Sequence, residues 1–148
     1  MVLDDQTTVG ALRQAVATFV DAREWQPFHS PKNQSMSIAI EAAELMEHFQ
    51  WLTAEEARAA VQDPEERAAV ADELADIVIY CLSLSNVLDL EVSAAVLGKL
   101  KTNEDRYPAE AFRGRFRRPE REKVGRMRDL DAAGAAEVPA EKPKDLPT

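Results

Sequence analysis

The chain has 148 residues, the size of one domain and enough to bury a substantial core. Its 18 basic and 27 acidic side chains give a net charge of −9, which argues against a nucleic-acid polymer as partner. One cysteine, 5 glycines and 6% aromatic residues argue against a disulfide-stapled or all-β domain.

No segment has the pattern of a membrane span or of a signal peptide. The longest uncharged apolar run, Ile77 to Leu88, has 12 residues, whereas a spanning helix needs about 20. The first five residues include Asp4 and Asp5 but no basic residue, and a signal peptide begins with positive charge. We therefore expect a cytoplasmic protein that has no membrane partner.

The predicted elements are all helices. The first follows Thr7 and Thr8 and ends in a loop at residues 26–30. Ser30 and Pro31 have the pattern of an N-cap and a first helical residue, and they open a long helix that runs to about Trp51. The segment 53–56, Thr-Ala-Glu-Glu, has the form of a capping box and predicts a short helical turn.

Two further helices complete a predicted all-α fold of the four-helix-bundle type. Asp63 and Pro64 open a helix to about Leu88; its 77–80 segment has strand propensity, but the helical period on both sides favours a helix. The last main helix runs from about Glu91 and ends before Pro108. The helix that opens at Asp63 and Pro64, the third main helix, is apolar nearly all round. We therefore expect an oligomer in which other subunits cover this helix on several sides.

Charge divides the chain after residue 112. Residues 1–112 hold 8 basic and 20 acidic side chains, a net charge of −12, and residues 113–148 hold 10 and 7, a net charge of +3. The second part has four prolines and almost no large apolar residue after Phe116, so we predict a helical domain at 1–112 and a basic, then proline-rich, arm that is disordered from about 119. We interpret its arginine-rich start as an arm on an acidic neighbouring subunit or as disorder, rather than as a nucleic-acid patch.

The second and third main helices each carry an apolar stripe beside a polar line. The stripes, which we expect to form the core, are Ile38, Ala42, Leu45, Phe49 and Leu52 on one helix and Val70, Leu74, Ile77, Cys81, Leu84 and Leu88 on the other. The polar lines are Ser37, Glu41, Glu44, His48 and Trp51, and Glu73, Asp76 and Tyr80. We expect Cys81 to be a small core residue.

Two carboxylate pairs stand out within the polar lines. Glu41 and Glu44, like Glu73 and Asp76, are three residues apart and so project from one helical face. A solvated acidic face is the alternative interpretation. No lysine or arginine lies within four residues of either pair on its helix, and close carboxylates repel by several kcal/mol at an effective dielectric of about 20, so a divalent cation would relieve them. Oxygen ligands favour Mg²⁺ or Mn²⁺ over Zn²⁺, and Mg²⁺ usually shares its shell with substrate phosphates, which indicates a nucleotide or phosphate-ester site.

The two pairs resemble the ExxE…ExxD signature of the all-α MazG-like nucleotide pyrophosphohydrolases. Further segments are similar to the dCTP pyrophosphatase branch of that family, and the resemblance covers about residues 9–108. These segments are 25–33, 47–51, 76–80 and the series Lys99, Asn103, Arg106, Tyr107 and Pro108.

The resemblance implies Mg²⁺-dependent hydrolysis of a deoxynucleoside triphosphate to the monophosphate and pyrophosphate, as house-cleaning of the nucleotide pool. It implies that Glu41, Glu44, Glu73 and Asp76 are the metal ligands and the catalytic groups, and that the protein is a homodimer or homotetramer. We expect dCTP or a modified cytosine nucleotide as substrate. The alternatives are a dUTP or broad-specificity enzyme, and a non-catalytic helical interaction module that retains the fold.

The same resemblance assigns the substrate-binding residues. Lys99, Asn103, Arg106 and Tyr107 would meet the phosphates and the sugar, although a basic helix end that complements the helix dipole is the alternative. Glu104 and Asp105 depart from the basic residues that often stand there in relatives. Phe28, His29 and Trp51 would form the base pocket, and Tyr80 would reach a ligand carboxylate or the ribose.

Overall fold

The computed structural model describes residues 3–114, which divide into two units, 3–100 and 101–114. All regular structure within residues 3–114 is helical, which confirms the expected all-α class. The predicted disordered tail lies outside the described residues. The helices are α1 (Val9–Asp21), α2 (Pro31–Glu47), α3 (Ala54–Ala60), α4 (Pro64–Val87), α5 (Val92–Arg106) and α6 (Ala109–Phe112), with a single 3₁₀ turn at Gln26–Phe28 between α1 and α2.

Four helices begin at the capping residues that the sequence predicts. The side chains of Thr8, Ser30 and Asp63 each accept a hydrogen bond from a backbone N–H in the first turn of their helix. Thr53 and Glu56 form a reciprocal capping box at the start of α3, and these hydrogen bonds to Thr53 lower the pKa of the Glu56 carboxyl. Each cap pairs a backbone donor that would otherwise lack a partner within the helix, which is why these boundaries are predictable.

The long helix α2 ends at Glu47, four residues before the predicted end at Trp51. The backbone N–H groups of Phe49 and Gln50 both donate to the carbonyl oxygen of Met46, each at 3.0 Å, so the chain tightens into turns. These turns let the chain reach the N-cap of α3 within a few residues. The apolar period continues through this segment, which is why periodicity alone predicts a longer helix.

Helix α4 packs against both α2 and α1. It runs antiparallel to α2: His48 at the end of α2 meets Glu66 near the start of α4, and Glu41 lies beside Asp76 further along. This antiparallel register brings the two predicted carboxylate pairs to the same level.

Helix α1 is joined to the end of α4 by a reciprocal pair of hydrogen bonds. Nε of Arg13 donates to Oδ1 of Asn86 at 2.9 Å, and Nδ2 of Asn86 donates to the Arg13 carbonyl oxygen at 3.0 Å. Arg13 also forms an ion pair with Glu91, at 3.2 Å, just before α5 begins. The three contacts fix the position of α1 across the C-terminal turn of α4.

The expected apolar core is only partly formed within this one chain. Among residues 3–114, Val20 and Leu82 are the buried apolar side chains. On the predicted stripe of α4, Leu74 is 52% exposed and Cys81 is exposed as well, so the expectation that Cys81 lies in the core is wrong for the single chain. Leu74 and Cys81 are exposed because no further helix among the described residues covers this face of α4 completely.

Polar side chains are instead among the most buried. Gln34 of α2 is 2% exposed, and Ser83 and Ser85 of α4 are 4% and 5% exposed. The polar and apolar lines on each helix share one period, so periodicity cannot tell which of them faces the neighbouring helix.

No single helix of the described chain is both long enough and apolar enough to cross a membrane. Only α4 and α5 taken together, with a sharp bend between them, pass on length and composition.

Candidate metal centre

Three carboxylates from two helices meet where α2 and α4 pack together. Glu41 on α2 and Glu73 and Asp76 on α4 each contribute an oxygen, and these atoms all lie within 4.8 Å of one another. Glu41 and Glu73 are half-buried, whereas Asp76 is exposed. The spacing of three residues places both α4 carboxylates on one face, and the antiparallel register carries Glu41 to them. We call these three residues the acidic cluster.

The charges of the acidic cluster have no neutralising ion pair within the part of the chain that the structure describes. Within residues 3–114, no lysine, arginine or histidine side chain pairs with Glu41, Glu44, Glu73 or Asp76. Burial raises the pKa of the Glu41 carboxyl, and the neighbouring charges of Glu44, Asp76 and Glu73 raise it further. Glu44 lies outside the acidic cluster itself, but its charge acts on Glu41 more strongly than those of the other two carboxylates.

This donor set fits a hard divalent cation. Mg²⁺ takes oxygen ligands at 2.0–2.1 Å, so two carboxylate oxygens on one ion stand up to about 4 Å apart. The oxygens of the acidic cluster, within 4.8 Å of one another, are close to that separation. A cation there would relieve the repulsion that raises the pKa of Glu41. Sulfur and histidine ligands, which favour Zn²⁺, are absent from the cluster.

Two predicted base-pocket residues lie together in the segment that precedes α2. Phe28 ends the 3₁₀ turn and is 67% exposed, and His29 follows it and is half-buried. Nδ1 of His29 lies 3.1 Å from the hydroxyl oxygen of Ser83 on α4. The third predicted residue, Trp51, lies in the turns after α2 and is 87% exposed. Its ring contributes almost nothing to packing within the single chain.

Tyr80 and Lys99 occupy helical positions in the first unit. Tyr80 is half-buried on α4, one turn beyond Asp76 on the same face. Lys99 is exposed on α5. Tyr80 is therefore placed on the line that continues from the acidic cluster.

The remaining predicted substrate residues belong to the second unit, 101–114. Asn103 is half-buried and Arg106 is exposed at the end of α5. The Arg106 guanidinium lies 5.5 Å from the centroid of the Tyr107 ring, which packs edge-on against Phe112 at 5.3 Å. The short helix α6, absent from the predicted elements, supplies that second ring.

An aromatic group around Trp25 was not among the predicted site residues. Its ring packs edge-on against Phe19 at 5.9 Å and lies 6.4 Å from the ring of His29. The guanidinium of Arg23 lies 3.5 Å from the centroid of the Phe19 ring. The spacing of four residues between Trp25 and His29 is the sequence signal that could have identified this neighbour.

Two buried polar residues extend the predicted polar lines. Gln34 lies one turn before Ser37 on α2, and Ser83 lies one turn after Tyr80 on α4. The Oε1 atom of Gln34 is buried and has no hydrogen-bond partner among the described residues. Extending the α2 line three residues toward the start of the helix, and the α4 line three residues toward its end, would have identified both Gln34 and Ser83.

The model of the MazG-like family matches residues 36–115, which include the acidic cluster. The chain belongs to the MazG-like family. The family that the sequence resemblance implies is thus confirmed.

The named relatives that this chain matches are all called pyrophosphatases. Human dCTP pyrophosphatase 1 is 34% identical over 136 residues, covering 92% of this chain and 80% of the human protein. The bovine protein of the same name is 38% identical over 109 residues, covering 74% of this chain and 64% of its own length. The crystal structure of a pyrophosphatase from Archaeoglobus fulgidus DSM 4304 superposes with a TM-score of 0.65 and 34% identity, over 73% of this chain and 99% of that one.

Proposed function

We propose that this protein is a nucleoside triphosphate pyrophosphohydrolase. It hydrolyses a deoxynucleoside triphosphate to the monophosphate and pyrophosphate, which removes unwanted nucleotides from the cytoplasmic pool. The observation that carries the proposal is the acidic cluster: carboxylates from two helices converge with no cationic side chain of residues 3–114 paired with them, in a family whose named relatives are pyrophosphatases. A triphosphate is itself anionic, so carboxylates of this kind serve it only through a divalent cation.

The proposed metal is Mg²⁺, with Mn²⁺ as a substitute, and Glu41, Glu44, Glu73 and Asp76 would hold it. When bound, the metal would neutralise negative charge on the triphosphate and make the attacking water more acidic. One of these four carboxylates orients that water toward the α-phosphorus and accepts its proton. Attack at the α-phosphorus breaks its bond to the oxygen that bridges the α- and β-phosphates. Pyrophosphate leaves with that oxygen, and the monophosphate remains.

The remaining site residues would bind the rest of the nucleotide. Phe28, His29 and Trp51 form the base pocket in this proposal, and Tyr80 meets the ribose or a ligand carboxylate. The phosphates and sugar contact residues of α5 and of the segment after it: Lys99, Asn103, Arg106 and Tyr107. Cytosine is the proposed base because the relatives in cattle and humans bear the name dCTP pyrophosphatase 1.

Turnover of a panel of nucleoside triphosphates with Mg²⁺ tests the proposal. We expect monophosphate and pyrophosphate as products, dCTP or a modified cytosine nucleotide as the best substrate, and no turnover by Asp76→Asn. Preference for dUTP, or similar rates on every base, would support the alternative substrates instead. No turnover of any nucleotide would support a non-catalytic helical module, and release of orthophosphate would contradict attack at the α-phosphorus.

A homodimer or homotetramer is part of the same proposal. Large apolar side chains remain exposed on α2, α4 and α5 of the single chain, while only two are buried among residues 3–114. A second copy would bring such faces together and remove them from water. Analytical ultracentrifugation should show no monomer at micromolar concentration; a stable monomer would refute this part. The exposed side chains include Met36, Ile40, Met46, Leu74, Val78, Ile79, Val96, Leu97 and Leu100.

A further inference from the structure

Three hydrogen bonds hold the segment between α1 and α2 in one conformation. Nε2 of Gln26 donates to Oδ1 of Asp21 at 2.6 Å, and Nδ2 of Asn33 donates to the carbonyl oxygen of Phe28 at 2.9 Å. The third joins Nδ1 of His29 to the hydroxyl of Ser83. The segment is thereby attached to α1, α2 and α4, while the Phe28 ring stays exposed.

Only one of these bonds reaches into the interior of the molecule. Ser83 is 4% exposed, and a buried hydroxyl requires a hydrogen-bond partner. Within the described residues, its side-chain partner is the His29 ring, 54 positions away in sequence. Ser85, on the same helix and equally buried, instead donates to the Leu82 carbonyl oxygen at 2.7 Å. Ser85 therefore stabilises its own helix, whereas Ser83 holds a side chain of another segment.

The bond to Ser83 determines which edge of the His29 ring is available. A neutral imidazole has one N–H and one acceptor nitrogen, and a hydrogen bond at one nitrogen fixes the role and orientation of the other. Because Nδ1 faces Ser83, Nε2 is the nitrogen that remains for a ligand. The ring is also confined on one side by Trp25, at 6.4 Å between centroids.

The position of Ser83 relates this ring to the acidic cluster. Ser83 follows Asp76 by seven residues, which is two turns along the same face of α4 and about 10 Å along its axis. That distance is comparable with the span of a nucleotide from its α-phosphate to the far edge of its base. A triphosphate held at the acidic cluster would therefore bring its base to the level of His29.

We infer that Ser83 is a positioning residue for the base-binding site. Its hydroxyl holds the His29 ring so that Nε2 meets the base of the bound nucleotide, and it does not itself contact the substrate. This inference rests on the proposed function. It deepens that function by identifying Ser83 as the residue of α4 that fixes the orientation of the His29 ring in the base pocket.

The experiment compares Ser83→Ala with Ser85→Ala, which removes the same atom at the same burial on the same helix. The chain has 2 histidines, so ¹⁵N NMR of the imidazoles is unambiguous once His48→Gln has assigned them. We expect Ser83→Ala to shift the His29 ring nitrogens, to leave those of His48 in place, and to raise KM for the nucleotide about five-fold with kcat nearly unchanged. Ser85→Ala should change none of these, and circular dichroism should show that both variants fold.

A double-mutant cycle completes the test. In a His29→Ala background, Ser83→Ala should raise KM no further, because the two residues act through one bond. Unchanged His29 shifts in Ser83→Ala, equal KM values in the two serine variants, or full additivity with His29→Ala would each overturn the inference. If the wild-type protein turns over no nucleoside triphosphate, the proposed function fails, which is a different result from turnover that ignores Ser83.

Discussion

Glu41→Gln should make the metal-free protein more stable while removing its activity. The substitution keeps the shape of the side chain and deletes the charge on which burial and three carboxylates act unfavourably. The folded-state pKa of Glu41 is raised above its ordinary value of 4.5, so its contribution favours folding below pH 4.5 and is lost as the pH rises through the raised value. At pH 7 the wild-type protein therefore carries a penalty that the variant lacks.

The size of this penalty follows from the separations in the acidic cluster. Two carboxylates 4.8 Å apart repel by about 3.5 kcal/mol at an effective dielectric of about 20. Glu41 faces two such neighbours, Glu73 and Asp76, and the charge of Glu44 acts on it as well, but the cluster is partly exposed, and solvent screening reduces each repulsion to roughly 0.3–1 kcal/mol. We expect Glu41→Gln to gain about 1–2 kcal/mol, which is roughly 4–8 °C in Tm for a domain of this size.

Thermal unfolding in EDTA and in Mg²⁺ measures both parts of this prediction. In EDTA at pH 7 the variant should melt above the wild-type protein, and the difference should vanish toward pH 4.5. Mg²⁺ should raise the Tm of the wild-type protein and leave the variant almost unaffected, because binding stabilises only the form that holds the ion. The control is Glu47→Gln, an exposed residue of the same helix outside the acidic cluster. A variant that is no more stable than this control in EDTA would refute the electrostatic argument.

Three further predictions concern single hydrogen-bonded contacts between or within helices. Asn86→Ala removes both hydrogen bonds to Arg13 and should lower the free energy of unfolding by about 2 kcal/mol in urea titrations; an unchanged midpoint would show that α1 is held by apolar contacts alone. Thr53→Ala removes the hydroxyl donor but keeps the backbone N–H, which is the larger cause, so the lowered pKa of the Glu56 carboxyl should move only part of the way toward its usual range in an NMR titration; an unmoved pKa would contradict the Thr53 hydroxyl as one of its causes. Glu66→Gln replaces the carboxylate that contacts the His48 imidazole at the end of α2. It should lower the free energy of unfolding by about 1 kcal/mol in the same urea titrations; equal stability would mean that this contact does not stabilise the fold.

Local chemistry determined where four of the helices begin, which is why the sequence predicts those starts well. Thr8, Ser30, Thr53 and Asp63 act within a few residues of themselves, so their capping needs no knowledge of the rest of the chain. The carboxylate spacing is likewise local, and together with the neighbouring motifs it was enough to predict the family that the comparisons confirm.

The packing of the helices was less predictable, because two lines with the same period run along α2 and α4. Hydrophobicity favours the apolar line as the inner one, and on that basis Cys81 was expected in the core. In the single chain Cys81 is exposed, while Gln34 and Ser83 are buried. The partner of the buried Ser83 hydroxyl is the His29 ring, 54 positions away in sequence, and the periodicity of one helix carries no sign of it.

The sequence by itself therefore determined the main helices, their starts and the pairs of carboxylates, since each depends on residues three or four apart. Only the tertiary structure decided that Glu41 meets Glu73 and Asp76, and that Ser83 holds His29. Both contacts depend on the antiparallel register of α2 and α4 and on the path of the chain before α2. Such a register is set by the sum of many weak contacts along two helices, so no short motif encodes it.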